Sequence, residues 1–295
     1  MRGESALAWP APAKLNLFLH ITGRRADGYH LLQTVFQLLD VGDTLRFALR
    51  ADGEIRRCYE LPDVPEAADL ILRAARLLQS HCRHAGGADI YLDKRLPAGG
   101  GLGGGSSDAA TTLVALNQLW GCRQSLAQLA ALGLQLGADV PVFIHGHSAW
   151  ADGVGEQLQP LDLPAAWYVV LAPAVNVSTA EVFSDAQLIR DCPPITIRAF
   201  LTGQRVRNVC EPVVMARYPQ VAEALHALSA YAPARLTGTG ACVFASFDSE
   251  SAARVAWAGL SGQWRGFVAK GVNISPLQQV LQHACLLYTS PSPRD

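Results

Sequence analysis

Six of the seven positions from 99 to 105 are glycine, in the run GGGLGGG. Glycine loses more backbone entropy on folding than any other residue, so such a run is costly inside a packed strand or helix. It lies between residues 88–96, which alternate like a strand with Ile90 and Leu92 on one face, and an apolar stretch with helical spacing to about Leu119. The compensation expected is a close approach of backbone amides to a ligand. Ser106 and Ser107 are read as opening the helix, whose free N–H groups and positive dipole end favour an anion. Pro97–Ser107 therefore reads as a phosphate cradle. A flexible linker is the plain alternative, but linkers seldom join a strand directly to a helix.

The type of nucleotide site is narrowed by what accompanies the glycines. A Walker A loop requires GxxxxGK[ST], and no lysine follows the run. The HRD and DFG motifs of protein kinases are missing. A dinucleotide fingerprint fits formally at Gly99, Gly101 and Gly104, but the acidic residue needed about 20 positions on falls in CRQSLAQLA. A dehydrogenase is thus a weak reading.

Composition sets outer limits. The chain has 295 residues, half of them hydrophobic, and a net charge of −1, so there is no global positive field to attract nucleic acid or an anionic membrane. Phosphate binding has to rely on local amides and a few placed cations. Positive charge comes from 21 arginines and only Lys14, Lys94 and Lys270. A compact ammonium does what a planar guanidinium fork does not, although chance suffices for at least two of the three. The seven cysteines show no C-x-x-C spacing, which argues against zinc or redox motifs and for small buried hydrophobes in a reducing compartment. No basic segment precedes an apolar run at the N-terminus, and no stretch of 18 apolar residues occurs. A soluble cytoplasmic protein is expected.

Along the chain, residues 12–22 alternate as a strand and precede a polar loop, GRRADGYH; Asp43–Arg50 reads as a second strand. Helices are expected over Pro65–Cys82 and from Ser125, which has N-cap character, to Gly137. DVPVFIHG reads as a loop and strand. Beyond a two-proline stretch, Leu158–Pro164, come a buried strand at WYVVLAP, a helix near Gln220–Ser229, a strand pair around RLTGTGACVFASF, a helix near Ser251–Leu260 and a strand at GFVAKG. Strands and helices mix without a βαβ cadence, so the fold class is α+β. Two domains are expected: residues 1–160 binding ATP, and residues 161–284. The last thirteen residues, HACLLYTSPSPRD, look unlike a closing element, and 285–295 is read as a non-native or disordered tail.

Three further segments carry chemistry. In PAKLNLFL, Lys14 and Asn16 share one strand face while Leu15, Leu17 and Leu19 take the other; the pair is either a polar pocket wall or a solvated face. Asp139 in GADVPVF is either a turn residue at a helix C-terminus or a functional acid. In LTGTGACVFASF, Gly238, Thr239 and Gly240 serve a ligand approach or a tight turn.

Taken together and in this order, the segments resemble the superfamily of galactokinase, homoserine kinase, mevalonate kinase and phosphomevalonate kinase. Pro97–Ser107 is similar to its second motif and Leu236–Ala245 to its third. PAKLNLFLHITGRRADGYHLLQTVFQLLD, LGADVPVF and ADGVGE add a resemblance to the branch that acts on a cytidine diphosphate alcohol of the non-mevalonate isoprenoid pathway, over about residues 9–280. The resemblance implies two α+β domains with the active site in the cleft between them. It also implies transfer of the γ-phosphoryl group of ATP to the 2-hydroxyl of a methylerythritol portion, with Mg²⁺ inferred from ATP chemistry. By match to the family pattern, Asp139 accepts or orients the hydroxyl proton and Lys14 stabilises charge. Asn16 would contact the substrate, Tyr29 and Phe183 would sandwich cytosine, and His30 would read its polar edge. Pro97, Ala98, Gly99, Gly100, Gly101, Leu102, Gly103, Gly104, Gly105, Ser106 and Ser107 would wrap the triphosphate, with Gly238, Thr239 and Gly240 nearby. Ser106 or Ser107 is the candidate metal contact. Val209 stands where many family members carry Asp, a departure expected to be structural. Another kinase of the superfamily, or a nucleotide-binding protein without catalysis, is the alternative.

Overall fold

A computed structural model describes residues 7–26, 28–62 and 64–289, the last seven by backbone alone. The first part of the chain forms β1 (Trp9–Arg24), β2 (His30–Arg50), β3 (Ile55–Arg57), α1 (Leu70–Cys82), β4 (Gly87–Asp93), α2 (Gly104–Leu119), α3 (Leu126–Leu134), α4 (Val140–His145), β5 (Ala149–Asp152) and β6 (Gln157–Pro160). The rest forms β7 (Trp167–Leu171), α5 (Thr179–Ser184), α6 (Ile197–Leu201), α7 (Glu211–Arg217), α8 (Pro219–Ser229), β8 (Ala234–Leu236), β9 (Val243–Phe247), α9 (Glu250–Leu260), β10 (Gly266–Val272) and α10 (Pro276–Thr289). The class is α+β, as expected. The strands run β3-β4-β2-β10-β7-β9-β8, with β1 and β5 also paired to β2, and among the described strands only β3 and β4 are parallel. Among the described residues no helix is long and apolar enough to cross a membrane.

Two main hydrophobic clusters lie on this sheet. One packs α1, α2, α3 and α4 against β1, β2 and β4; the other gathers β7, β8 and β9 with α7, α8 and α9. They meet where Gly271 and Val272 of β10 pair with Leu39 and Leu38 of β2. The chain then returns to the first cluster, because Leu277 of α10 is buried there. Helix α10 carries the backbone to Thr289, into the segment set aside as a tail; residues 290–295 lie outside the described residues.

Local chemistry accounts for the element ends. The Asp69 carboxylate caps α1 by accepting from Ile71 N at 2.9 Å. Ser125 and Gln128 form a reciprocal capping box on α3. The expected strand in DVPVFIHG is a helix, α4, with Pro141 in its first turn, where a missing N–H costs nothing. All of Val140–Ile144 is buried, so the run shows no helical periodicity, and a short apolar run reads equally as strand or helix. The second strand is 21 residues long, starting at His30 within the expected loop.

The alternation of β1 also breaks. Asn16 pairs with Phe36 but Leu19 with Thr34, so β1 holds one extra residue there. A bulge of this kind reverses the facing of the strand residues beyond it. Leu15 packs in one buried cluster, while Leu19 is buried in another and borders a large cavity.

Candidate active site

Lys14 is the hub of the site. It is buried on β1, and its ammonium donates to Asn16 Oδ1 at 2.6 Å and Gly101 O at 3.0 Å and lies 3.1 Å from Asp139 Oδ2. Three partners use its three protons. A planar guanidinium fork would not match this tripod. Asn16 is fixed in turn: its Nδ2 donates to Thr34 Oγ1 at 3.0 Å and its backbone N to Thr237 Oγ1 at 3.0 Å. Asp139 sits at the N-cap of α4 but makes no side-chain cap bond. It is therefore the residue before a helix, not one ending α3, and its partly exposed carboxylate (33%) faces the cavity. A buried cation, an amide and an accessible carboxylate thus converge where a hydroxyl could be oriented and developing charge offset.

The glycine run wraps this hub. Helix α2 starts at Gly104, with Gly103 as its N-cap, two residues before the serine expected to open it. Its first internal bond runs from Ser107 N to Gly103 O at 2.8 Å, so the amides of Gly104, Gly105 and Ser106 precede the ladder and suit an anion. Four of the glycines answer to the protein itself, since a Cβ on Gly99 would sit 2.8 Å from Asn176 Oδ1 and one on Gly100 2.6 Å from Cys242 Sγ. A Cβ on Gly101 (φ +75°) would sit 2.2 Å from Thr237 O, and one on Gly103 (φ +72°) 2.7 Å from the Phe143 ring and 3.1 Å from Lys14 Cε. The run is therefore glycine-rich partly to let the 237–240 turn and the lysine stem pass. That turn is pinned by Asn208, whose Nδ2 donates to Leu236 O at 2.8 Å and Gly238 O at 2.7 Å. Thr239 Oγ1 lies 2.9 Å from Thr179 Oγ1. Val209 is buried, and its N donates to Leu19 O at 2.9 Å, which is the structural position expected for it.

These groups line one cavity of about 1040 Å³. It holds Pro97, Ala98, Gly99, Gly100, Gly101, Gly103, Gly104, Gly105, Ser106, Gly238, Thr239 and Gly240 with Lys14, Asn16 and Asp139. Two of the expected triphosphate contacts are not on its wall. Leu102 is in the core, where only its carbonyl reaches Lys14 N at 3.0 Å, and the Ser107 hydroxyl is buried without a partner. Leu102 lies in the loop before the helix, and a helix that starts at Gly104 turns Ser107 inward.

At one end of the cavity stand Tyr29, His30 and Phe183. His30 stacks on Phe183 with ring centroids 5.2 Å apart and 19° between planes, and Tyr29 is 66% exposed. Burial, with Arg190 and Arg24 close by, lowers the His30 pKa. At the other end, Leu61, Val64, Ala68, Leu70 and Ile71 make an apolar wall that sequence reasoning missed. Lys94 closes it, bonded to Asp43 at 2.6 Å and Asp108 at 2.7 Å. Burial and the nearby Asp43 push the Asp108 carboxyl up to about 7 against the pull of Lys94. Burial opposes the charge of Lys94, but the two carboxylates outweigh it and raise its pKa. The scarcity of lysine was a signal for Lys94, since two of the three lysines face the cavity; Lys270 is exposed.

A two-ended cavity with a glycine-rich anion cradle at its middle is the architecture of a small-molecule kinase. The chain matches the GHMP kinases N terminal domain over residues 69–147 and the GHMP kinases C terminal domain over residues 196–266, and it belongs to that family of ATP-dependent phosphotransferases. A protein of Nitrosococcus oceani named 4-diphosphocytidyl-2-C-methyl-D-erythritol kinase is 59% identical over 276 residues, 94% of this chain and 98% of that one. A protein of the same name from Alkalilimnicola ehrlichii is 61% identical over 91% of this chain and 92% of its own length. The crystal structure of a 4-(cytidine 5'-diphospho)-2C-methyl-D-erythritol kinase superposes with a TM-score of 0.78 at 33% identity, covering 90% of this chain and all of that one.

Proposed function

We propose that this chain transfers the γ-phosphoryl group of ATP to the 2-hydroxyl of 4-diphosphocytidyl-2-C-methyl-D-erythritol, a step of the non-mevalonate isoprenoid pathway in the cytoplasm. The observation that carries the reading is the placement of the Lys14–Asp139 pair, 3.1 Å apart, in one cavity with the glycine cradle and the Tyr29, His30 and Phe183 cluster. The nucleotide's base lies against the Leu61–Ile71 wall and its phosphates against the amides of Gly104, Gly105 and Ser106. The pyrimidine lies among the aromatic groups, and the alcohol between reaches Asp139.

Phosphoryl transfer needs positioning and charge neutralisation more than covalent help. Asp139 orients the attacking hydroxyl and takes its proton as the new P–O bond forms and the bond from the γ-phosphorus to the bridging oxygen of ATP breaks, releasing ADP. Lys14, held by Asn16 and Gly101, keeps Asp139 in place and balances charge on the transferring group. Among the described residues no group of three or more His, Cys, Asp or Glu side chains is placed to hold a metal. The Ser106 hydroxyl and the Asp139 carboxylate on the cavity wall suit Mg²⁺ carried by the nucleotide, which keeps several waters and takes one or two protein oxygens. Ser106 and Asp139, both on the cavity wall, would hold it, and it would neutralise the phosphate charge.

Incubating the chain with ATP, Mg²⁺ and the cytidine substrate, and locating the new phosphate by phosphorus NMR, tests the proposal. A phosphomonoester on the 2-oxygen is expected. No transfer to this compound, with transfer to mevalonate or homoserine, would assign the other superfamily reading.

A further inference from the structure

Arg190 lies beyond α5 and was not singled out by its sequence context, yet its guanidinium makes four hydrogen bonds. Nη2 donates to Phe183 O at 2.8 Å and Asp185 O at 2.7 Å, Nη1 to Leu188 O at 3.0 Å, and Nε to His30 Nε2 at 3.1 Å. A guanidinium has no acceptor and stays protonated in proteins. His30 Nε2 must therefore be the accepting nitrogen, and the proton of the neutral ring sits on Nδ1. The ring lines the cavity and stacks on Phe183, which fixes its plane. The His30 ring thus offers the cavity one donor of fixed identity.

We propose that Arg190 is a positioning residue that holds His30 as an Nδ1–H donor, and that this donor selects cytosine over uracil. The inference rests on the cytidine diphosphate reading of the cavity. The two bases share an acceptor at O2 and differ at N3, which accepts in cytosine and carries N–H in uracil. A donor that cannot switch tautomer pairs with cytosine N3 and opposes the uracil N–H. Discrimination of this kind is strong because the wrong ligand leaves two donors face to face. A histidine free to change tautomer would present an acceptor to uracil and lose the distinction.

Protonation supplies a second signature. Among the described residues the charged groups facing His30 are Arg190 and Arg24, and Asp185 beside them is paired with Arg217. A second ring proton would sit on Nε2 against the Arg190 donor, so the arrangement holds only while His30 is neutral. Burial and the two cations keep its pKa below the ordinary 6.5. Removing Arg190 lets it rise toward that value.

The test uses the full chain and needs no turnover. Nitrogen NMR of the imidazoles reads the His30 tautomer, and calorimetry compares CDP with UDP for the intact protein and Arg190→Met. The intact protein should show protonated Nδ1 and prefer CDP by about tenfold or more, the scale of one well-made hydrogen bond against an unpaired donor. In Arg190→Met the preference should shrink to within about threefold above the His30 pKa and return below it, where the imidazolium again donates from Nδ1. Arg190 also braces residues 183–188, so His30→Gln is the second variant. An amide offers donor or acceptor by flipping, and selectivity should fall with the segment intact. A protonated Nε2 in the intact protein, or CDP preference unchanged in both variants, overturns the proposal. Selective CDP binding without phosphoryl transfer would instead sink the reaction and leave Arg190's role standing. Binding of neither nucleotide overturns both.

Discussion

Because the glycine run serves protein packing as well as ligand approach, alanine should be tolerated at some of its positions and not at others. In Gly101→Ala the new methyl meets the Thr237 carbonyl oxygen at 2.2 Å and Gly240 O at 3.2 Å. Neither partner is a side chain that can rotate away, so the loop or the turn must withdraw by about 1 Å, a displacement that costs about a hundredfold in rate at a reacting site. Holding alanine at φ +75° adds about 1–2 kcal/mol. Because Lys14 donates to Gly101 O, the ammonium moves too. Steady-state kinetics with ATP varied should show kcat/KM about a hundredfold lower, and the melting midpoint should fall by about 2–8 °C. Gly105→Ala is the control. Its methyl would meet only Leu70 Cδ1 at 3.6 Å and lies in a helix, where alanine is favoured by up to about 1 kcal/mol. Its midpoint should not fall, and any rise in KM for ATP then reports approach of the nucleotide to that amide. Wild-type kinetics and melting for Gly101→Ala, or equal destabilisation by both changes, would refute the packing argument.

Other outcomes rest on the same geometry. Folding raises the Asp108 pKa from 3.8 to about 7, so the folded chain binds the extra proton between those values. The stability linked to that proton is present below the ordinary carboxylate pKa and is lost as pH rises toward 7; a urea midpoint that falls over this range in the intact protein but less in Asp108→Asn checks it. Asn208→Ala removes both bonds that pin Leu236 O and Gly238 O, and should lower stability by about 1–3 kcal/mol in urea titration and raise KM for ATP. Tyr29 is largely exposed, so Tyr29→Ala should leave the melting midpoint within about 1 °C, as surface changes do, while raising KM for the cytidine substrate and not for ATP.

How far the chain could be read without its structure depends on how local each signal is. The N-cap of α3, the strand at β7 and the hairpin of β8 and β9 each carry their cause within a dozen residues, and they appear as expected. Lys14, Asn16 and Asp139 were visible because polar groups interrupt apolar runs, and they converge on one wall. The readings that failed were set by distant packing. Burial on every side removes the periodicity of α4, and one extra residue in β1 turns Leu19 away from Leu15 into a different buried cluster at the cavity's edge. At Gly42 a Cβ would lie 2.2 Å from Ala11 O, so a glycine that looks like a strand end lets β2 run on past β1. Arg190 is one of 21 arginines, and the histidine that gives it meaning lies 160 positions away.

Transfer of labelled γ-phosphate from ATP to 4-diphosphocytidyl-2-C-methyl-D-erythritol, compared between the intact chain and Asp139→Asn, tests the central claim most directly. Asparagine keeps the shape and loses the charge that faces Lys14 at 3.1 Å. Turnover by the intact chain should fall by about a hundredfold to ten-thousandfold in the variant, with nucleotide binding retained. Transfer undiminished in Asp139→Asn would contradict the role given to the Lys14–Asp139 pair.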